Sequence, residues 1–147
     1  MTATPAYPEL FNRVEASFLR QGMMQQLGAR LVSVAPGVCV IALPYSDRVT
    51  QQQGGFHGGA MGALADIAGG YAALTAAPDD HEVTTVEYKI NFLAAKQGGE
   101  LLATGRVTKA GRRIIITSAE VVHDDGQGKQ TVCAVMQQTI MPVAKTY

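Results

Sequence analysis

Asp66 is the one charged residue in the twenty-residue stretch Gly58 to Ala77, which is otherwise mostly Gly, Ala and larger apolar residues. An ionised carboxylate in such a stretch is costly unless it is paired or functional. No cation stands at i±3 or i±4, so the cheapest structural partner is missing. Two readings follow. Asp66 is either a structural carboxylate with a partner elsewhere in the fold, or a general base or nucleophile whose pKa is set by burial.

The second cluster is Gln51-Gln52-Gln53-Gly54-Gly55-Phe56-His57-Gly58-Gly59, directly before that stretch. Glycines at a helix start let a ligand approach free N–H groups and the positive end of the helix dipole. No Gly-Lys-Ser/Thr follows and no G-x-G-x-x-G is present, so phosphate-loop chemistry is excluded. The same N–H groups could hold a carbonyl oxygen that turns negative during acyl transfer, or the glycines could simply permit a tight loop. His57 has no second His nearby for a metal site. Nine residues separate it from Asp66, about half a helical turn out of phase, so the two form no same-face dyad. A ring that hydrogen-bonds backbone and shapes the loop is its plainest role. There is no G-x-S-x-G, and neither Cys39 nor Cys133 neighbours a His, so the common nucleophile motifs are absent. Between Tyr88 and Arg113 stand six basic residues (Lys89, Lys96, Arg106, Lys109, Arg112, Arg113) against one acid, Glu100. They are either solvated strand faces or a site for the phosphates of a nucleotide-like carrier.

The elements that must position these residues are legible in periodicity and turn chemistry. Residues 7–21 predict a helix, with Leu10, Phe11, Val14, Phe18 and Leu19 at helical spacing, Pro8 in the first turn and Gly22 as a stop. Residues 27–44 predict two strands about Pro36-Gly37, and 45–56 a loop. Residues 57–76 predict a long helix stopped by Pro78. In 83–93, Val86, Tyr88, Ile90 and Phe92 alternate with polar residues, as in a strand with one buried and one wetter face. Strands follow at about 100–109, 112–123 and 130–141, joined by Ala110-Gly111 and by Asp124-Asp125-Gly126-Gln127-Gly128. Consecutive strands with short turns imply an antiparallel sheet, with the long helix across one face: an α+β fold. That helix is apolar nearly all round, and one sheet covers one side, so a second subunit is expected on the other. Gly59, Gly62, Ala63, Gly69, Gly70 and Ala73 would permit its close approach.

Length and composition bound the answer. The 147 residues fit one domain, and 47% apolar content supports a core. Twelve basic and twelve acidic residues give zero net charge, which argues against a general nucleic-acid or membrane-surface binder. Two widely spaced cysteines, no leader-like N-terminus and a Gly/Ala-rich rather than Leu/Ile-rich apolar stretch point to a cytoplasmic protein without a membrane span.

The run Gln51…His57-Gly58-Gly59…Leu64-Ala65-Asp66, then Val83-Thr84-Thr85-Val86-Glu87-Tyr88-Lys89-Ile90-Asn91-Phe92, resembles the hotdog-fold thioesterases of the phenylacetate-degradation (PaaI) type. The similarity continues through Gly111-Arg112 and covers roughly residues 25–141 of a single domain spanning 1–147. It implies a long helix wrapped by an antiparallel sheet, pairing of two subunits and often of two dimers, and metal-free hydrolysis of an acyl-coenzyme A thioester without a cofactor. By position, Asp66 matches the catalytic carboxylate, Gly58 the glycine whose amide polarises the thioester carbonyl, and Thr85 a Ser or Thr that positions the nucleophile. Gln51 falls where many members have Asn. Phe56, His57, Asn91 and Phe92, with Lys109, Arg112 and Arg113 for the carrier phosphates, complete the candidate substrate contacts.

One geometric point is independent of the resemblance. Eight residues separate Gly58 from Asp66, ~12 Å along a helix, whereas a reacting carbonyl needs its donor and its nucleophile both at about 3 Å. Two antiparallel helices about a twofold axis can meet that demand, so the site is expected to be shared. The alternatives are a non-catalytic acyl-CoA-binding protein and a hotdog hydratase or dehydratase; the latter lacks its Pro-x-x-Pro-Gly-type segment here.

Overall fold

The computed structural model describes residues 4–147; the first three residues of the expected domain lie outside the described residues. Helix α1 (Pro8–Phe18) and a short α2 (Gly22–Leu27) precede the hairpin β1 (Arg30–Ala35) and β2 (Val38–Pro44). The long helix α3 (Gly58–Leu74) follows, then β3 (His81–Phe92), β4 (Glu100–Ala110), β5 (Ile115–Asp124) and β6 (Gln130–Ala144). All six strands form one antiparallel sheet in the order β1-β2-β4-β5-β6-β3. This is the hotdog arrangement: the sheet curls about α3, helped by register shifts that leave an extra residue in β1, β3, β4 and β6 and bend those strands.

The close seating of α3 depends on two glycines. A Cβ on Gly105 of β4 would stand 2.1 Å from the Ala68 carbonyl oxygen, and one on Gly69 would collide with Gln138 and Thr117. Neither position accepts a side chain, which accounts for part of the glycine cost within the helix. Around this contact pack Ile41, Leu64, Ala65, Ala68, Ala72, Leu101, Val121 and Met136.

Several expectations need correction. Gly22 does not simply end the first helix; α1 stops at Phe18, and Gly22 opens α2, which ends at left-handed Gly28 (φ 79°). The predicted 45–56 loop contains a 3-10 turn, Asp47–Val49, and a bridge between Thr50 and Phe56. One chain also covers more of α3 than expected, because the sheet is curved and α1 packs on it through Phe18 and Tyr71, whose rings lie 6.2 Å apart. Arg13 ties α1 down by donating to the carbonyls of Ala77, Pro78 and His81. What stays open on α3 is a stripe comprising Gly59, Ala63, Asp66, Ile67 and Gly70.

The apolar face of β3 is not buried within the chain. Val86, Tyr88 and Phe92 are 59%, 43% and 52% exposed, and Leu93 just beyond the strand is 58% exposed. The physical reason is topological: β3 is an edge strand, paired only with β6. Periodicity reports that a face is apolar, not which chain covers it. Among the described residues no helix is long and apolar enough to cross a membrane.

Candidate active site

The α3 start is built by local hydrogen bonds. His57 is the N-cap, and its Nδ1 accepts from Gly59 N–H at 2.7 Å, so the ring shapes the helix entrance. The His57 carbonyl takes the Ala60 and Met61 amides. Among the described residues nothing accepts from Gly58 N–H, which is left as a free donor at the positive end of the helix. The Phe92 ring lies against Gly58, 3.4 Å from where a Cβ would stand. Gln51 sits in the entrance loop, its backbone paired with Gly55 and Gly54. Its side-chain oxygen accepts from Gln53 N–H, so the carboxamide is engaged locally and does not reach Asp66 of the same chain.

Asp66 lies one helical segment further on, and strands β3, β5 and β6 hold it. Thr85 Oγ1 donates to Asp66 Oδ1 at 2.6 Å, and Gln138 Nε2 donates to the same oxygen. Gln138 Nε2 also reaches the Asp66 carbonyl at 3.2 Å, while its Oε1 accepts from Thr117 Oγ1 at 2.9 Å. That last bond orients the amide, because Thr117 donates to the oxygen and turns the nitrogen toward the carboxylate. Both bonds to the Asp66 carboxylate converge on Oδ1. Oδ2 accepts none among the described residues.

Gln138 and Thr117 were missed in the sequence. Their signal is present: each takes an inward position in an alternating strand, 134-136-138-140 in β6 and 115-117-119-121 in β5, and each is buried. A lone Gln in an inward row marks a polar network as surely as a lone Asp in an apolar helix.

Burial raises the Asp66 pKa above the ordinary aspartate value, and the hydrogen bonds from Thr85 and Gln138 pull it partly back. A carboxylate that serves as base or nucleophile must be ionised to act. The acid limb of kcat/KM should therefore fall at a pH above the ordinary aspartate pKa. Thr85→Val removes a bond that favours the carboxylate, so the limb should move to higher pH. A pH–rate profile of both proteins checks this; a shift to lower pH would contradict the assignment.

A cleft of about 90 Å³ opens beside Asp66, lined by Thr85 and Val83 of β3, Ile67, Gly70 and Tyr71 of α3, Ser17 of α1 and Gln21 at the junction of α1 and α2. The other candidate residues are not all brought here. Phe56 is 2% exposed and packs edge-on to Tyr45 and His123, so it is core rather than a pocket wall. Asn91 is exposed and accepts from Lys89. Lys109, Arg112 and Arg113 are exposed around the β4–β5 turn. That turn is at the far end of the sheet from Gly58: the α3 start adjoins His123, opposite Leu101, whereas the turn joins Ala110 to Ile115.

The Thioesterase superfamily profile matches residues 53–129, more than half of the chain, from the entrance loop through Gly58, Asp66 and Thr85 to the end of the β5–β6 turn. The chain belongs to the thioesterase superfamily. Within it, a 1,4-dihydroxy-2-naphthoyl-CoA hydrolase of Listeria monocytogenes is 33% identical over 103 residues, covering 70% of this chain and 84% of that protein. The crystal structure of a thioesterase family protein from Silicibacter pomeroyi superposes with TM-score 0.88 at 33% identity, over 92% of this chain and 99% of that one. The E. coli PaaI protein from the phenylacetic acid degradation operon shares the fold, with TM-score 0.83 at 21% identity, over 94% and 96% of the two chains. Among the described residues this thioesterase-superfamily chain thus has a free helix-start amide, a half-buried carboxylate with one free oxygen, and a cleft beside α3.

Proposed function

We propose that the protein is an acyl-CoA thioesterase, converting R–CO–S–CoA and water to R–COOH and HS–CoA at a site completed by a second copy of the chain. The observation that carries this is Asp66: it lines an open cleft, and one of its oxygens is clamped by Thr85 and Gln138. As a base, Asp66 takes a proton from water while the oxygen adds to the carbonyl carbon. As a nucleophile, it forms a mixed anhydride that water then cleaves. In both routes the carbonyl oxygen becomes negative, the C–S bond breaks and the thiolate leaves with a proton. Gly58 N–H holds the oxyanion, and no metal is needed.

The edge strand supports the two-chain site. On one chain Thr85 touches Asp66 and Phe92 touches Gly58. If two β3 edges pair antiparallel about the Tyr88–Lys89 centre, residue 85 of one faces residue 92 of the other. The α3 start of one copy then comes to Asp66 of its mate, removing the ~12 Å separation. The same pairing covers Val86, Tyr88 and Phe92, worth roughly 1 kcal/mol for each half-exposed side chain. It also turns the basic β4–β5 turn of one copy toward the α3 start of the other, where Lys109, Arg112 and Arg113 could meet CoA phosphates. The 33%-identical Listeria hydrolase, named for a CoA thioester, supports the carrier assignment.

The test is thiol release from short, medium, long and aromatic acyl-CoAs, followed with a thiol reagent in the presence of a chelator. Turnover of at least one class is expected. Binding without release would mean an acyl-CoA-binding protein, and hydration of an enoyl-CoA without release would mean a hydratase.

A further inference from the structure

Beyond Asp66 the cleft runs about 6 Å, one turn of α3, to Gly70 and Tyr71. There it meets a closed wall. Tyr71 Oη accepts from Gln21 Nε2 at 2.7 Å and shares a 3.1 Å hydrogen bond with Ser17 Oγ. Glu82 completes the wall from the strand side, braced from outside by the Tyr147 hydroxyl, and Arg20 lies 4.1 Å over the Tyr147 ring. Burial pushes the Tyr71 phenol up to about 12, so it stays neutral and keeps its place in the network. Gln21 and Ser17 are both tied to the Tyr71 hydroxyl, so the wall is held in place and acts by obstruction. The cleft's floor is Gly70, where a Cβ would meet nothing within 4 Å. The run of about 6 Å from Asp66 to this wall sets the length of tail the cleft can seat.

Resting on the thioesterase reading, we infer that the junction of α1 and α2 is the acyl-length gauge of this site: Gln21 and Ser17, locked to Tyr71, stop the acyl tail one helical turn past Asp66, and the substrate is a short-chain acyl-CoA. The cost of overlength is steep, because each methylene that a closed pocket cannot seat changes kcat/KM by about tenfold or more. Gln21 is only half buried, so removing its side chain opens the blind end to solvent and gives a longer tail an exit. Gly70→Ala does the reverse. Its methyl enters the cleft without meeting protein, and alanine favours the helix, so the variant keeps its fold.

The experiment is a kcat/KM profile over straight-chain acyl-CoAs from acetyl to dodecanoyl for the wild type, Gln21→Ala and Gly70→Ala, with circular dichroism as the fold control. The wild type should peak at roughly three to five carbons and fall at least about tenfold by octanoyl. Gln21→Ala should move the peak up by about two carbons or more. Gly70→Ala should move it down, sparing acetyl-CoA while costing about tenfold on the wild type's longest good substrate. A wild type equally fast on dodecanoyl-CoA, or two folded variants with the wild-type profile, overturns the gauge while leaving the hydrolase intact. Absence of thiol release from every acyl-CoA, aromatic ones included, instead overturns the hydrolase reading and the gauge with it.

Discussion

Asp66→Asn should leave the protein folded and able to bind CoA while lowering kcat by at least ~10², the scale of a lost general base. The substitution suits the site. Thr85 and Gln138 both donate to Oδ1, and asparagine keeps a carbonyl oxygen that can accept from both. What it loses is the charge and the free second oxygen. The loss should fall on kcat with KM little changed, because the interaction is made as the water or the carbonyl carbon reacts rather than on substrate binding. Steady-state kinetics on a good acyl-CoA, with thermal melting as the fold control, decides this. A near wild-type kcat would make Asp66 structural.

Gly58→Pro should lower kcat by ~10²–10³, the cost of one oxyanion donor. A backbone amide is rarely open to mutation, but here the geometry permits it. Gly58 is the first helical residue, where proline fits best, and among the described residues its N–H serves no bond. The preceding residue must be extended, and His57 is, with φ −70° and ψ 134°. The variant therefore deletes one donor and leaves the helix. Substrates with a less electron-demanding carbonyl should be affected least. Unchanged kcat in the folded variant would remove Gly58 from the chemistry.

Much of this arrangement was legible in the residues. Proline and glycine punctuation with alternating apolar positions located every strand, and the lone Asp66 in an apolar run located the carboxylate. Its environment was not, because it depends on which distant strands lie beneath α3: Thr85 could be named only by resemblance, and Gln138 is 72 residues away. The β3 face illustrates a second limit. Val86, Tyr88 and Phe92 carry the period of a buried face, yet the chain leaves them exposed, since edge position follows from strand order rather than local pattern. Phe56 shows a third. An aromatic beside a glycine-rich entrance could equally line a pocket or plug the core, and only its contact with Tyr45 and His123 assigns it to the core.

The most direct test of the shared thioesterase site combines the two variants. Asp66→Asn and Gly58→Pro chains, each nearly inactive alone, are unfolded, mixed in equal amounts and refolded, and thiol release from acyl-CoA is measured. A site that takes its carboxylate from one chain and its amide from the other leaves one of the two sites in each mixed dimer fully wild-type. Random pairing makes about half the dimers mixed, so roughly a quarter of wild-type activity should return. A mixture no more active than the two variants alone, with refolded wild type active, would contradict the account.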